Sequence, residues 1–314
     1  MTRNLKQNPN RANAAKSILI SSLCALTPLS ATAESLKTNP PPIKSTTPPK
    51  VNKTNLEIAR SIYGVMEPYQ LTHDIDKRSV DDGKSTSQPS LPITGKETLI
   101  EQIAQFVKKG ETIPIAMIGF PFKSTNTDHK VIGHAPDMAE RHALKHINAM
   151  LLRIRDIYPH GATFQIISDG STFNDILGIS DTIVEAYEDA LKTLASDLKD
   201  IQIITSRELK VTPSSSMANL RQAIKFHSPS LQEFEEMVAK DASMRYELDV
   251  IKKRLALELD HQEGQEILNL LADKESTSDP LLLVSKKIIV RSRQIGKFIS
   301  SKFFTTPYLK FSVH

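Results

Sequence analysis

Residues 162–206, ATFQIISDGSTFNDILGISDTIVEAYEDALKTLASDLKDIQIITS, read as a strand, a loop, a helix and a second strand. The apolar run 162–169 is short and rich in β-branched residues, 181–198 is amphipathic at helical spacing, and 201–206 is again short and apolar. Strands that bury both faces need no alternation of polar and apolar residues, so this pattern implies a parallel pair joined by a covering helix. The pattern extends outward in the N-terminal direction. A helix is expected at 96–109 (KETLIEQIAQFVKK), a strand at 113–122 (IPIAMIGFPF) and a helix at 137–158. That last helix carries Leu144, Ile147, Leu151 and Ile154 on one stripe, with Pro136 by its start. The fold class expected is therefore α/β, a parallel sheet covered by helices on both faces.

The 314 residues, 39% hydrophobic and 24% charged, suit one large globular domain or two small ones. Of the 40 cationic residues, Arg3, Lys6, Arg11 and Lys16 fall in residues 1–33, which contain no acid. The remainder is balanced against 36 acids, so no nucleic-acid partner is implied. The basic start, the run SILISSLCALTPLSATA and the Ala31-Thr32-Ala33 site before Glu34 predict a signal peptide over 1–33, with no membrane span after its removal. That leader predicts a periplasmic or secreted protein, the alternative being cytoplasmic. Cys24, the only cysteine, would leave with it, which excludes disulfides and thiolate chemistry from the mature chain. A Pro-rich linker follows at 34–53, then a helix near 54–66, then a polar stretch, and the main domain from 96 to 314. Within that domain, 214–275 reads as a solvated helical insertion with no chemistry of its own.

Ligands of parallel α/β sheets collect beyond the carboxyl ends of the strands. Two loops qualify, FPFKSTNTD after the first strand and SDGSTFNDILG after the second, so Lys123, Asp169 and Asp175 are candidates for one crevice. The plain alternatives are a turn at Gly170 and a helix cap at Asp181. His142 and His146 have the i, i+4 spacing of a zinc helix, but Ala143 stands where the motif needs glutamate, so no metal is assigned. No G-x-G-x-x-G motif occurs, which argues against a dinucleotide dehydrogenase.

GFPFKS (119–124), PDMAERHAL (136–144), IYPHGATFQIISDGSTFNDILGISD (157–181) and YLKFSVH (308–314) occur in an order that resembles the pyoverdine/dityrosine biosynthesis family, which includes the isocyanide synthases. The resemblance implies a Rossmann-like enzyme that converts an amino acid, of tyrosine or tryptophan type, and ribulose 5-phosphate to an isonitrile without a cofactor. It also implies a downstream iron/2-oxoglutarate oxygenase as a pathway partner. Carried onto this chain, the family pattern implies Asp169, Asp175 and Glu140 as catalytic residues. Lys123, Asp137, Ser168, Gly170, Phe173, Arg291 and His314 are then the substrate-binding set. Lys123 and Arg291 would hold phosphate or carboxylate, the arginine as a planar fork. A salt bridge between Lys123 and Glu140 that merely closes the loop is the alternative.

The chain also departs from that pattern. Ser171 stands where the family often has a basic or imidazole residue, and Lys310-Phe311 where it usually has Arg-Leu. Family members continue beyond the segment resembling YLKFSVH, so the resemblance implies a chain truncated at its C-terminus. Two further readings stay open beside the enzyme: a noncatalytic relative that binds a phosphorylated small molecule, and an exported interaction protein.

Overall fold

The structure is a computed structural model that describes residues 53–69, 96–124, 126–209, 216–302 and 308–311. The leader at 1–33, the linker before Lys53, the polar stretch 81–95 and the site candidate His314 lie outside the described residues. Four strands pair in parallel: β1 (Ile113–Ile118), β2 (Ala162–Ile167), β3 (Ile201–Ile204) and β4 (Leu309–Lys310), in the order β3-β2-β1-β4. β1 runs in register with β2 from Ile113 opposite Ala162 to Ile118 opposite Ile167. The apolar run after β1 continues to Phe122, but the strand stops at Ile118. Phe120 adopts φ 55, and Pro121 has no N–H to give a ladder.

The helices are α1 (Lys53–Met66), α2 (Lys96–Lys109), α3 (Met138–Ile157), α4 (Gly170–Phe173), α5 (Asp181–Ala195), α6 (Met217–Lys225), α7 (Leu231–Lys240), α8 (Ala242–Glu258), α9 (Gln262–Glu275) and α10 (Pro280–Lys302). α3 links β1 to β2, and α5 links β2 to β3. Both crossovers step in one direction, so right-handed connections put α3 and α5 on one face. The return from β3 to β4, beyond β1, steps the other way and carries its helices to the opposite face. This is the strand order of a Rossmann-like half, with the reversal between β1 and β4. α10 packs against α6, α7, α8 and α9 and reaches α4, so the helical segment leans on the loop after β2. α1 packs on α2 and α3.

Ile113, Ile115, Phe164, Ile166 and Ile167 are fully enclosed between these layers. Each such side chain contributes roughly 1.5–3 kcal/mol of burial free energy, so the sheet is a rigid platform for the loops at its carboxyl edge. Among the described residues no helix is long and apolar enough to cross a membrane.

Candidate functional site

The loops after β1 and β2 meet at Gly170. A Cβ placed there would lie 1.8 Å from the Pro121 carbonyl oxygen and 2.7 Å from Val184 Cγ1. Only glycine permits this approach, so the residue is required by close packing and not by a positive φ. The Ser168 hydroxyl ties the same two loops together by donating to the Phe120 carbonyl at 3.0 Å.

One charge cluster is built on the start of α3. Asp137 caps the helix by accepting from the Ala139 N–H at 2.7 Å, while Glu140 Oε2 accepts from the Asp137 N–H at 2.8 Å. The capping box leaves Glu140 Oε1 pointing at the loop after β1, where Lys123 Nζ meets it at 2.8 Å and Asp137 Oδ2 at 3.1 Å. Lys123 is 7% exposed and Glu140 10%, so their contact is a buried pair and not the surface bridge weighed from the sequence. Tyr187 of α5 donates to the same Glu140 Oε1 at 3.4 Å. Burial first, and then Glu140, Asp137 and Asp169, push the Tyr187 phenol well above its ordinary value. Burial works to raise the Asp137 carboxyl, but the Ala139 N–H and the Lys123 ammonium together hold it below the usual carboxylate range.

Asp169 is buried at the start of α4, close enough to Tyr187 to act on it electrostatically. Ser168 and Phe173 are buried beside it, and Phe173 with Ile176 seats the loop on the core as its apolar pattern predicts.

The other cluster gathers around α4 and the residues that follow it. Arg291 of α10 donates to the Thr172 carbonyl at 2.7 Å and pairs with Asp175 at 3.3 Å. Arg221 of α6 donates to the Ser171 carbonyl and to Asn174 Oδ1, each at 2.9 Å, pairs with Asp181, and lies 3.8 Å from Asp175. Asp181 therefore does not cap α5. Ser180 does, through its side chain to the Ile183 N–H, and Asp181 in the first turn is left to bridge Arg221 and Asn174.

The structure thus joins Lys123, Asp137 and Glu140, puts Tyr187 within electrostatic reach of both Glu140 and Asp169, and pairs Asp175 with Arg291 in a separate network. The sequence reading missed Tyr187, Glu188 and Arg221. A signal existed for Glu188: it sits on the apolar stripe of α5 among Val184, Leu191 and Ala195, where a carboxylate has no ordinary reason to be. Arg221 carried none, because its helix reads as an ordinary solvated one. The segment taken to hold no chemistry nonetheless supplies this brace. His146, weighed as a metal ligand, packs against the Tyr69 ring at 4.4 Å.

Chemically, the two networks differ in charge. Lys123 alone faces two carboxylates, Asp137 and Glu140, which leaves negative charge to receive a substrate ammonium. Arg221 and Arg291 face Asp175 and Asp181 and are balanced.

A family model for pyoverdine/dityrosine biosynthesis proteins matches residues 103–314. The chain is 28% identical over 241 residues to isocyanide synthase xanB of Aspergillus fumigatus, a match covering 70% of this chain and 30% of that protein. It is 37% identical over 103 residues to the L-tyrosine isonitrile synthase of Pseudomonas aeruginosa, covering 33% and 31% of the two. The match thus takes in about a third of the length of these curated relatives. The crystal structure of the PvcA protein from Pseudomonas aeruginosa superposes with a TM-score of 0.63 at 22% identity, over 82% of this chain and 83% of that one, which establishes the shared fold.

Proposed function

Because the chain belongs to the pyoverdine/dityrosine biosynthesis family, we propose that it acts as an isocyanide synthase. In this reading it takes an amino acid of tyrosine or tryptophan type and ribulose 5-phosphate, and the isonitrile carbon comes from C2 of the sugar. The amine condenses with the sugar ketone and releases water. Proton transfers and carbon–carbon cleavage follow, and both need fixed acids and bases.

The observation that carries this reading is the contact at Gly170 between the loops after β1 and β2: the first holds Lys123, buried against Glu140, and the second holds buried Asp169, both at the carboxyl edge of the sheet. The surplus of carboxylate over ammonium suits a substrate amine. Asp169 and Glu140 serve as the acid and base, and Lys123 stabilises the developing oxyanion or holds the substrate carboxylate. Asp137 helps to hold Lys123. Arg291 and Asp175 keep the turn that presents Asp169, because Arg291 is engaged by the Thr172 carbonyl and by Asp175.

The test is direct. Purified protein is incubated with tyrosine or tryptophan and ribulose 5-phosphate labelled at C2, and product is trapped with a tetrazine and read by mass spectrometry. A trapped isonitrile bearing the label is the expected result. No product, with the sugar phosphate still raising the melting temperature, would replace the enzyme with a noncatalytic binder.

A further inference from the structure

Glu188 is fully enclosed behind the loops that form the site. Its Oε1 accepts from the Ser206 N–H at 3.0 Å and from the Ser206 hydroxyl at 2.7 Å, and that hydroxyl lies 2.8 Å from the Ser171 hydroxyl. Among the described residues Oε2 receives no hydrogen bond. The nearby Ser168 hydroxyl donates to the Phe120 carbonyl. An ionised Glu188 would leave a charged oxygen buried and unmet, whereas a proton on Oε2 removes that charge.

We propose that Glu188 is a positioning residue that works as a neutral carboxylic acid, accepting from Ser206 through Oε1 and so holding the Ser206 hydroxyl against Ser171. The chain of bonds joins α5 to the segment after β3 and, through Ser171, to the loop after β2 that carries Asp169. Burial raises the Glu188 carboxyl above its ordinary value, against the opposing pull of the hydrogen bonds from Ser206. Arg207, in the segment after β3, acts on Glu188 electrostatically and is itself paired with Asp189. The serines Ser168, Ser171 and Ser206 supply the remaining polar groups around it.

The role in positioning Asp169 rests on the isonitrile-synthase reading, but the protonation state does not, and the experiment separates them. Glu188→Gln reproduces the uncharged side chain and keeps a carbonyl for Ser206. A group whose folded value is raised binds its proton more tightly folded than unfolded, so wild-type stability falls as pH rises above about 4.3, the ordinary glutamate value. The melting temperature of Glu188→Gln should therefore match wild type near that pH and exceed it increasingly toward neutral and alkaline pH. Difference infrared spectra should show the carbonyl stretch of a protonated carboxyl group in wild type and lose it in the variant. In the turnover assay Glu188→Gln should keep its kcat, and Glu188→Ala should lose roughly tenfold or more in kcat with little change in KM. A Gln variant less stable than wild type at every pH, or lacking the infrared difference, overturns the neutral acid whether or not the protein turns over. If both variants are stable and the wild type is active, equal kcat values for Gln and Ala overturn the positioning role. Product formation by neither wild type nor variant would instead fall on the proposed function.

Discussion

Lys123 and Arg291 are each 7% exposed, yet their surroundings are opposite. Lys123 stands between Asp137 and Glu140 with no second cation among its ion pairs, on a capping box that locks both acids. Arg291 shares Asp175 with Arg221 and spends its strongest hydrogen bond on a backbone carbonyl. The cluster on α3 keeps a charge imbalance that a substrate can satisfy. The one on α4 is neutral and braces the chain. Residue type alone did not separate these roles, since a buried Arg and a buried Lys both suit an anion. What separates them is the number and sign of their partners.

The largest effect should come from Lys123→Met. Removing the ammonium leaves Glu140 buried with its charge unmatched, a loss of about 3–5 kcal/mol in urea unfolding together with turnover. The corresponding Arg291→Met should cost less stability, because Asp175 is one-third exposed and retains Arg221 nearby. Equal losses would erase the contrast. Gly170→Ala comes next. Its methyl would collide with the Pro121 carbonyl, and separating the two loops should cost about 1–3 kcal/mol or more and lower turnover with it. A silent Gly170→Ala would mean that the loops need not touch.

The smallest effect concerns Asp137, which is half exposed. The Ala139 N–H and Lys123 outweigh burial and hold its folded value below the usual one. Its contribution is therefore fully present above the unfolded aspartate value of about 3.9 and lost as pH falls through the folded value. Asp137→Asn should melt below wild type at neutral pH, and the gap should close on acidification. A gap independent of pH would make the residue a cap alone.

The fold was legible because apolar strands and striped helices alternate from 96 to 206, and a sheet buried on both faces leaves that mark in the sequence. The Phe-Lys-Ser, Pro-Asp-x-x-Glu and Ser-Asp-Gly-x-x-Phe-x-Asp segments pointed to the same edge of it. The premature end of β1 was legible only in part: Pro121 marks a break in the apolar run 119–122, but the turn of the backbone at Phe120 leaves no mark of its own. The cap of α5 was not legible: Ser180 and Asp181 are both good caps, and Asp181 is drawn away by Arg221, which is 40 residues distant in the chain. Partners separated that far in sequence leave no local pattern. Arg291 with Asp175 and Ser206 with Glu188 are the same case.

In the proposed reaction the loop after β2 presents Asp169 to the reacting atoms beside Lys123 and Glu140. Single-turnover measurement of Asp169→Asn, which keeps the side chain's size and removes its charge, tests it most directly. The rate of isonitrile formation should fall roughly a hundredfold or more, with an unchanged melting temperature. Wild-type turnover in a folded Asp169→Asn preparation would contradict it.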